Sequence, residues 1–164
     1  MKNLLAALFL ISFTLFPLLA EDAKQALIVE APDTWKIEFN NDKGIQFYTL
    51  TLKEGDTALL MFSRWPVSGN VKQIPEQIEA MAKGFVRLAK DRNDIKLKTE
   101  KYKIEEIAGD TFSGSFVKFE IDGGITQTMF MIGDTEGIWN GQFTGTKEGW
   151  TEAISILVKL KKNN

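Results

Sequence analysis

The stretch LLMFSRWPV, residues 59–67, decides the fold prediction. Its first four residues are all apolar, whereas a strand with one solvent-facing side alternates apolar and polar residues. A strand that is apolar on both sides is covered on both sides. Pro66 cannot donate a hydrogen bond to a neighbouring strand, so we expect the strand to end there. The stretch therefore predicts a buried strand that leaves the core at Arg64 and Trp65.

Most of the remaining chain has the pattern of short strands joined by tight turns. Apolar residues alternate in WKIEF, residues 35–39, as they do in a strand with one buried side. The stretches that separate such segments are rich in Gly, Asn and Asp: NNDKG, KEGD, AGD, DGG and GDTEG. This spacing is typical of antiparallel strands joined by hairpins. The charged segment 95–107 predicts an edge strand with a bulge near Glu100 or Lys101.

Two segments have helical periodicity instead. From Pro75 to Asp91, apolar residues recur every three or four positions, and Phe85 lies at the centre of this stripe. The segment 145–162 has a second such stripe, and its closing lysines are expected at the negative end of the helix dipole. We therefore predict an α+β fold: a mainly antiparallel sheet sandwiched between two helices, in an α/β/α sandwich.

Residues 1–20 have the pattern of a secretory signal peptide. Lys2 precedes an apolar run, which is followed by Pro17 and by Ala20 before an acidic pair. The run is about a dozen residues long, whereas a bilayer-spanning helix needs roughly 20. We predict cleavage after residue 20 and a single domain over residues 21–164. The mature protein is then expected to be periplasmic or secreted, with no integral membrane segment.

The composition excludes several kinds of chemistry. The chain has no histidine and no cysteine, which rules out Ser-His-Asp and Cys-His catalysis and zinc sites of the ordinary kind. A net charge of -2, with no basic run except KLKK near the end, argues against nucleic acid as a partner. We predict no cofactor, no metal site and no catalytic residue, and we assign no oligomeric state.

Carboxylate pairs are the catalytic option that this composition leaves. Glu120 with Asp122, and Asp134 with Glu136, are the candidate pairs. Both pairs lie beside predicted hairpin turns, where acidic residues are common for local reasons. The acidic clusters DRND and DTEG lack the ligand spacing of a calcium loop. Structural roles are therefore the favoured interpretation for these carboxylates.

Arg64 and the tryptophans carry more information about binding. Arg64 shares a strand face with Leu60 and Phe62, where an unpaired charge could not stay buried. We expect it at the strand end, either in an ordinary ion pair or as an anchor for a ligand. The four tryptophans are Trp35, Trp65, Trp139 and Trp150. All lie next to predicted element boundaries, where packing at the rim of the core is the favoured interpretation. Because interface hot spots favour Arg and Trp, the predicted partner-binding residues are Arg64, Trp65 and Trp139.

The order of these features is similar to that of a known family. An early APDTW is followed by KIEF and a hairpin, a strand precedes a mid-chain amphipathic helix, and a run of hairpins precedes a tryptophan-bearing C-terminal helix. Over nearly the whole mature chain, the sequence resembles a small exported bacterial member of the PsbP-like superfamily. That superfamily includes photosystem II extrinsic subunits and a nuclear import factor that binds the GTPase Ran. The resemblance implies a PsbP-like domain that binds a protein partner and is not an enzyme. The histidine metal contacts described for some photosynthetic members of that superfamily cannot apply to a chain without histidine.

Two function classes stay open. In the first, the protein is an exported, non-catalytic accessory or protein-binding module with a protein partner of unknown identity. In the second, it is a carrier of a small apolar ligand or a weak carboxylate-dependent hydrolase. A carrier needs a cavity larger than ordinary packing leaves, and a hydrolase needs two facing carboxylates in a cleft.

The signal-peptide interpretation makes a direct prediction. Export should remove the apolar run, so the mature chain should begin near Glu21. N-terminal sequencing of the protein recovered from outside the cytoplasm checks this. A full-length chain retained in the inner membrane would contradict it.

Overall fold

The structure is a computed structural model that describes residues 25–53, 58–64, 71–92 and 94–163. The predicted signal peptide, residues 1–20, lies outside these ranges, as do Trp65 and Pro66. The strands are β1 (Leu27–Ile28), β2 (Trp35–Asp42), β3 (Ile45–Leu52), β4 (Leu59–Arg64), β5 (Ile104–Ala108), β6 (Ser113–Ile121), β7 (Ile125–Gly133), β8 (Ile138–Gly145) and β9 (Lys161–Lys162). The helices are α1 (Ile74–Asp91), which a 3-10 turn at Val71–Gln73 precedes, and α2 (Lys147–Val158).

The larger sheet has seven strands, all antiparallel, in the order β2-β3-β4-β8-β7-β6-β5. The remaining two strands, β1 and β9, pair with each other in a separate sheet. The predicted turns NNDKG and DGG do join hairpins. Lys43 and Gly44 between β2 and β3 have positive φ angles of 50° and 84°, as a tight hairpin turn requires. Gly123 and Gly124 between β6 and β7 have φ angles of 88° and 79°.

One side of the large sheet, called here the front face, carries the aromatic core. Its buried side chains include Tyr48, Leu60, Phe62, Phe130 and Phe143. Helix α2 packs on this face and inserts its buried Trp150 against Phe116, Phe130 and Phe143. The helix begins at Thr146, whose side-chain oxygen accepts a hydrogen bond from the N–H of Gly149 at 3.1 Å.

The opposite side, the back face, is covered by α1 over part of its width. This helix packs mainly against β6 and β7 and buries Ile74, Ile78 and Ala82, so the predicted stripe does face the sheet. Phe85, expected at the centre of that stripe, is only partly buried and contacts Phe119 at a ring-centroid distance of 4.9 Å. The buried part of the stripe is therefore centred closer to the N-terminus of α1 than the spacing of the apolar residues predicts.

The predicted α/β/α sandwich is wrong, because the fold is β-rich. The apolar run of β4 does not lie between two helices. Leu60 and Phe62 are buried in the front core, but Leu59 and Met61 on the other side are only half-buried, since α1 packs mainly on β6 and β7. A strand apolar on both sides can thus belong to a broad sheet whose two helices each cover a part of one face.

The C-terminal segment also differs from its prediction. Helix α2 ends at Val158, and Lys161 and Lys162 form β9 instead of a last helical turn. They pair with Ile28 and Leu27, respectively. The second cover of the front face is therefore a two-stranded sheet. The helix-dipole role expected for the closing lysines is wrong for Lys161 and Lys162, whereas Lys159 lies at the C-cap of α2.

The predicted edge strand over 95–107 is only partly present. Residues Ile104–Ala108 form β5, but the preceding residues make a single bridge, Leu97 to Ile121. No ladder runs past Glu100 and Lys101, so the predicted bulge is absent from this described segment. The side chains of residues 98–101 are all exposed. A strand formed by these residues would therefore have no buried face to pack against the rest of the protein.

Tyr48 connects the small sheet to the large one. Its hydroxyl accepts a hydrogen bond from the N–H of Leu27 at 3.1 Å and donates one to the Leu27 carbonyl at 3.3 Å. Burial raises the pKa of the Tyr48 phenol, although the backbone hydrogen bond at Leu27 partly opposes this. The phenol therefore stays protonated and able to donate.

Two glycines test this packing with the same substitution. Gly141 on β8 faces the front core, and a Cβ there would collide with Phe130 and with the Met61 carbonyl, so Gly141→Ala should destabilise the fold by about 1–3 kcal/mol. Gly84 on α1 has no atom within 4 Å of such a Cβ, so Gly84→Ala should stabilise by up to about 1 kcal/mol through helix propensity. Urea unfolding of the two variants checks this. Changes of the same sign would contradict the assignment of the two environments.

Candidate functional site

A small pocket lies at the rim of the front face, where the two sheets meet. Its volume is about 160 Å³, and it is bounded by the end of β4, the turn between β7 and β8, the start of β8 and the β1–β9 sheet. It contains two of the three predicted partner-binding residues, Arg64 and Trp139, together with Lys162. We call it the rim pocket. The third predicted residue, Trp65, lies outside the described residues.

Arg64 is the last residue of β4 and lies directly opposite Trp139 on β8. Its side chain is on the same face as Leu60 and Phe62, as predicted, and it is half-buried at the rim. The guanidinium Nη2 donates a hydrogen bond to the backbone carbonyl of Glu136 at 3.1 Å. Within the described parts of the chain it forms no ion pair with a carboxylate. The expected ordinary ion pair is therefore not present there.

Gly137 allows this close approach. A Cβ at Gly137 would lie 2.9 Å from the Arg64 Nε and 3.0 Å from Nη2. Any side chain at this position would therefore have to displace the guanidinium group. The GDTEG turn, predicted only as a hairpin connection, thus also shapes the pocket.

Trp139 forms the aromatic wall behind Arg64. The indole packs edge-on against Tyr48 and Phe62, with ring-centroid distances of 5.7 and 6.1 Å. Trp139 is only 2% exposed, so it shapes the pocket more than it offers a surface for contact. Trp35 and Trp150 are also buried, and the core-packing interpretation is confirmed for all three tryptophans that the structure describes.

A charged cluster lines the opposite wall. The Lys162 Nζ lies 2.6 Å from Asp134 Oδ2 and 2.8 Å from Glu136 Oε1, so one ammonium group bridges both carboxylates. Asp134 Oδ1 accepts hydrogen bonds from the N–H groups of Glu136 and Gly137 at 2.8 and 3.1 Å. Asp134 therefore organises the turn and anchors β9 to it.

The pKa values follow this geometry. Burial is the largest single influence on Asp134 and raises its pKa, but the hydrogen bonds from Lys162, Glu136 and Gly137 together outweigh it, so the pKa is lowered. The same contacts, from Asp134 first and then Glu136, raise the pKa of Lys162. Both groups are therefore charged at neutral pH.

This arrangement does not suit acid catalysis by the pair Asp134 and Glu136. A general acid at neutral pH needs a raised pKa, whereas Asp134 has a lowered one and both carboxylates are bound by Lys162. In the other candidate pair, Glu120 lies 3.4 Å from Lys98 in an exposed contact. Asp122 lies in the turn after β6. Among the described residues, no group of three or more acidic side chains could hold a metal ion.

The sequence patterns do not predict that Lys162 lies in this pocket. The helical pattern places it at the end of a helix, and 28 positions separate it from Asp134 along the chain. Only the pairing of β9 with β1 brings the two together. No local signal in the sequence predicts such a contact.

A second, shallower depression of about 630 Å³ adjoins the rim pocket and shares Asp134 and Lys162 with it. Its other lining residues are mostly polar, among them Asp110, Thr111 and Ser113. Within the described part of the chain, no helix is long and apolar enough to cross a membrane.

Comparison with known proteins identifies no family. No protein-family model matches the sequence, and no curated protein matches it. A crystal structure from Bacteroides thetaiotaomicron VPI-5482 is similar with a TM-score of 0.47 and 17% identity over 84% of this chain, which spans 45% of the length of that protein. Similarity at this level does not identify the family or the function of this chain. The PsbP-like resemblance therefore stays a prediction.

The lowered pKa of Asp134 predicts a pH-dependent contribution to stability. Its charged form stabilises the folded state above the ordinary pKa of 3.8, and this contribution is lost as the pH falls through the lower folded-state pKa. Asp134→Asn should therefore lower the urea midpoint at about pH 7, and the difference from wild type should shrink towards about pH 3. Glu38→Gln, which breaks an exposed pair with Lys36, serves as the control and should change little. A deficit in Asp134→Asn that does not depend on pH would contradict the charge role.

Proposed function

We propose that the protein is an exported, non-catalytic accessory or binding module that recognises a protein partner through the rim pocket. The observation that carries the proposal is Arg64, a half-buried cation at the pocket whose described contact is a single backbone carbonyl. An arginine that stabilised only the fold would be expected on a carboxylate, and two carboxylates lie nearby on Lys162 instead. The export part of the proposal depends on residues 1–20 of the sequence.

The pocket is poorly suited to a carrier of apolar ligands. Its volume of 160 Å³ equals about five water molecules, below the roughly 300 Å³ at which pockets for small molecules begin. The larger depression is shallow and mostly polar. Stacked and tilted aromatic rings pack in the front core between the sheet and α2.

A carboxylate-dependent hydrolase is also less well supported. The two carboxylates nearest the pocket share one lysine, and the pKa of Asp134 is lowered. An acid with a raised pKa, facing a second carboxylate across a cleft, is what such an enzyme needs. Binding without chemistry is the simpler use of the same residues.

Capture of the partner tests the proposal. The mature protein, immobilised, should retain a partner from the native envelope fraction, identified by mass spectrometry. Arg64→Ala should weaken binding of that partner by more than about tenfold, or about 1.4 kcal/mol, because the cation that faces it is lost. The unfolding midpoint should hardly change.

Arg87→Ala is the matched control. Arg87 is an exposed arginine on α1, the helix that covers the back face, so its removal changes net charge equally without touching the rim pocket. It should bind the partner as wild type does. Equal binding by Arg64→Ala, or equal loss in both variants, would overturn the role of the pocket.

A further inference from the structure

We propose that the rim pocket binds a carboxylate group, which Arg64 holds by hydrogen bonds and charge. This inference deepens the proposed function and rests on it, since it names the chemical group that enters the same pocket. The carboxylate could belong to a free organic acid, to a chain terminus or to an acidic side chain of the partner. The chemistry of recognition is the same in each case.

The first argument is the balance of hydrogen-bond donors and acceptors around the pocket. A guanidinium has five N–H donors, and the described contacts of Arg64 use one of them, on the Glu136 carbonyl. The Lys162 ammonium forms ion pairs with Asp134 and Glu136. Asp134 Oδ1 accepts two backbone hydrogen bonds, and its Oδ2 contacts Lys162 without hydrogen-bond geometry. The pocket wall therefore offers more donors than acceptors, and a matching ligand supplies acceptor oxygens.

The second argument is charge. A single lysine, Lys162, contacts both nearby carboxylates, whereas Arg64 is half-buried and has no carboxylate partner in the part of the chain that the structure describes. Arginine and a carboxylate form short, charge-assisted hydrogen bonds, and a planar carboxylate can meet two N–H groups of the guanidinium at once. A neutral amide or alcohol would leave Arg64 without a directly bonded anion.

The third argument separates a carboxylate from phosphate. Asp134 and Glu136 also line the pocket, so a dianion would meet stronger repulsion than a monoanion would. The small volume of the pocket suits a carboxylate with a few attached carbons. Trp139, which is only 2% exposed, closes this space from behind.

Titration with a small acid tests the inference directly. Sodium propionate should shift the NMR signals of the Gly137 amide and the Arg64 Nε–H in a saturable way, at constant ionic strength. Propionamide, a neutral molecule of the same shape, should not. In Arg64→Gln the apparent affinity for propionate should fall by at least about tenfold, and in Arg87→Gln it should not change. Equal shifts with propionamide, tighter binding of inorganic phosphate, or unchanged affinity in Arg64→Gln would each overturn the inference.

Arg64→Lys guards against a folding defect in Arg64→Gln. The lysine keeps the charge but loses the planar pair of donors, so it should retain the amide spectrum of the folded protein and bind propionate with intermediate affinity. A folded Arg64→Lys variant that binds propionate as tightly as wild type would overturn the role of the guanidinium.

Three peptides identify the source of the carboxylate. N-acetyl-trialanine has a free C-terminal carboxylate, its C-terminal amide has none, and N-acetyl-Ala-Glu-Ala amide has only a side-chain carboxylate. If N-acetyl-trialanine binds more tightly than propionate, the site is assigned to a chain terminus of a partner. If N-acetyl-Ala-Glu-Ala amide does, the site is assigned to an acidic side chain of a partner. Binding of propionate alone assigns it to a free acid. Binding of the trialanine amide as tight as that of the free acid would overturn the inference.

The two proposals fail in different ways. If Arg64→Ala weakens partner capture but no carboxylate binds, the binding module stands and the carboxylate inference falls. If propionate binds through Arg64 but capture does not depend on Arg64, the carboxylate site stands and the protein-partner proposal falls.

Discussion

The two hydrogen bonds between the Tyr48 hydroxyl and the backbone of Leu27 are the contact on which the rim of this fold depends. Tyr48 is buried in the front core, where a hydroxyl without a partner would cost free energy. Satisfying it holds β1 against the large sheet, and β9 follows because it pairs with β1. Lys162 therefore reaches the turn that contains Asp134, and a pocket forms between the two sheets.

The charges around that pocket are distributed unevenly. Lys162 bridges two carboxylates, whereas Arg64, on the neighbouring wall, contacts a carbonyl. A half-buried cation that contacts only a carbonyl, while both nearby carboxylates contact another cation, is a poor arrangement for stability alone, since the cost of removing it from water is only partly offset. The same arrangement leaves donors available to an acceptor from outside. This difference between the two walls is the support for the proposal that the site binds a partner.

Part of the site follows from local patterns in the sequence. Arg64 has to lie at the rim, because it shares a face with Leu60 and Phe62 and cannot be buried alone. The GDTEG stretch has to form a turn, and Asp134 near its start accepts hydrogen bonds from the N–H groups that such a turn leaves without a backbone partner. These are constraints between residues a few positions apart. They do not indicate which distant charges the arginine and the aspartate will meet.

The sequence by itself determined the hairpins, the two amphipathic helices and the rim position of Arg64, because each depends on periodicity, turn chemistry or the cost of burying a charge over a short stretch. Only the tertiary structure decided how far the helices cover the sheet, that the last lysines form a strand, and that Lys162 meets Asp134. Apolar residues at successive positions predict cover on both sides, but Leu59 and Met61 are only half-buried, and the pattern does not specify what lies over each side. Contacts between distant segments depend on how the whole chain packs, and no local pattern encodes them.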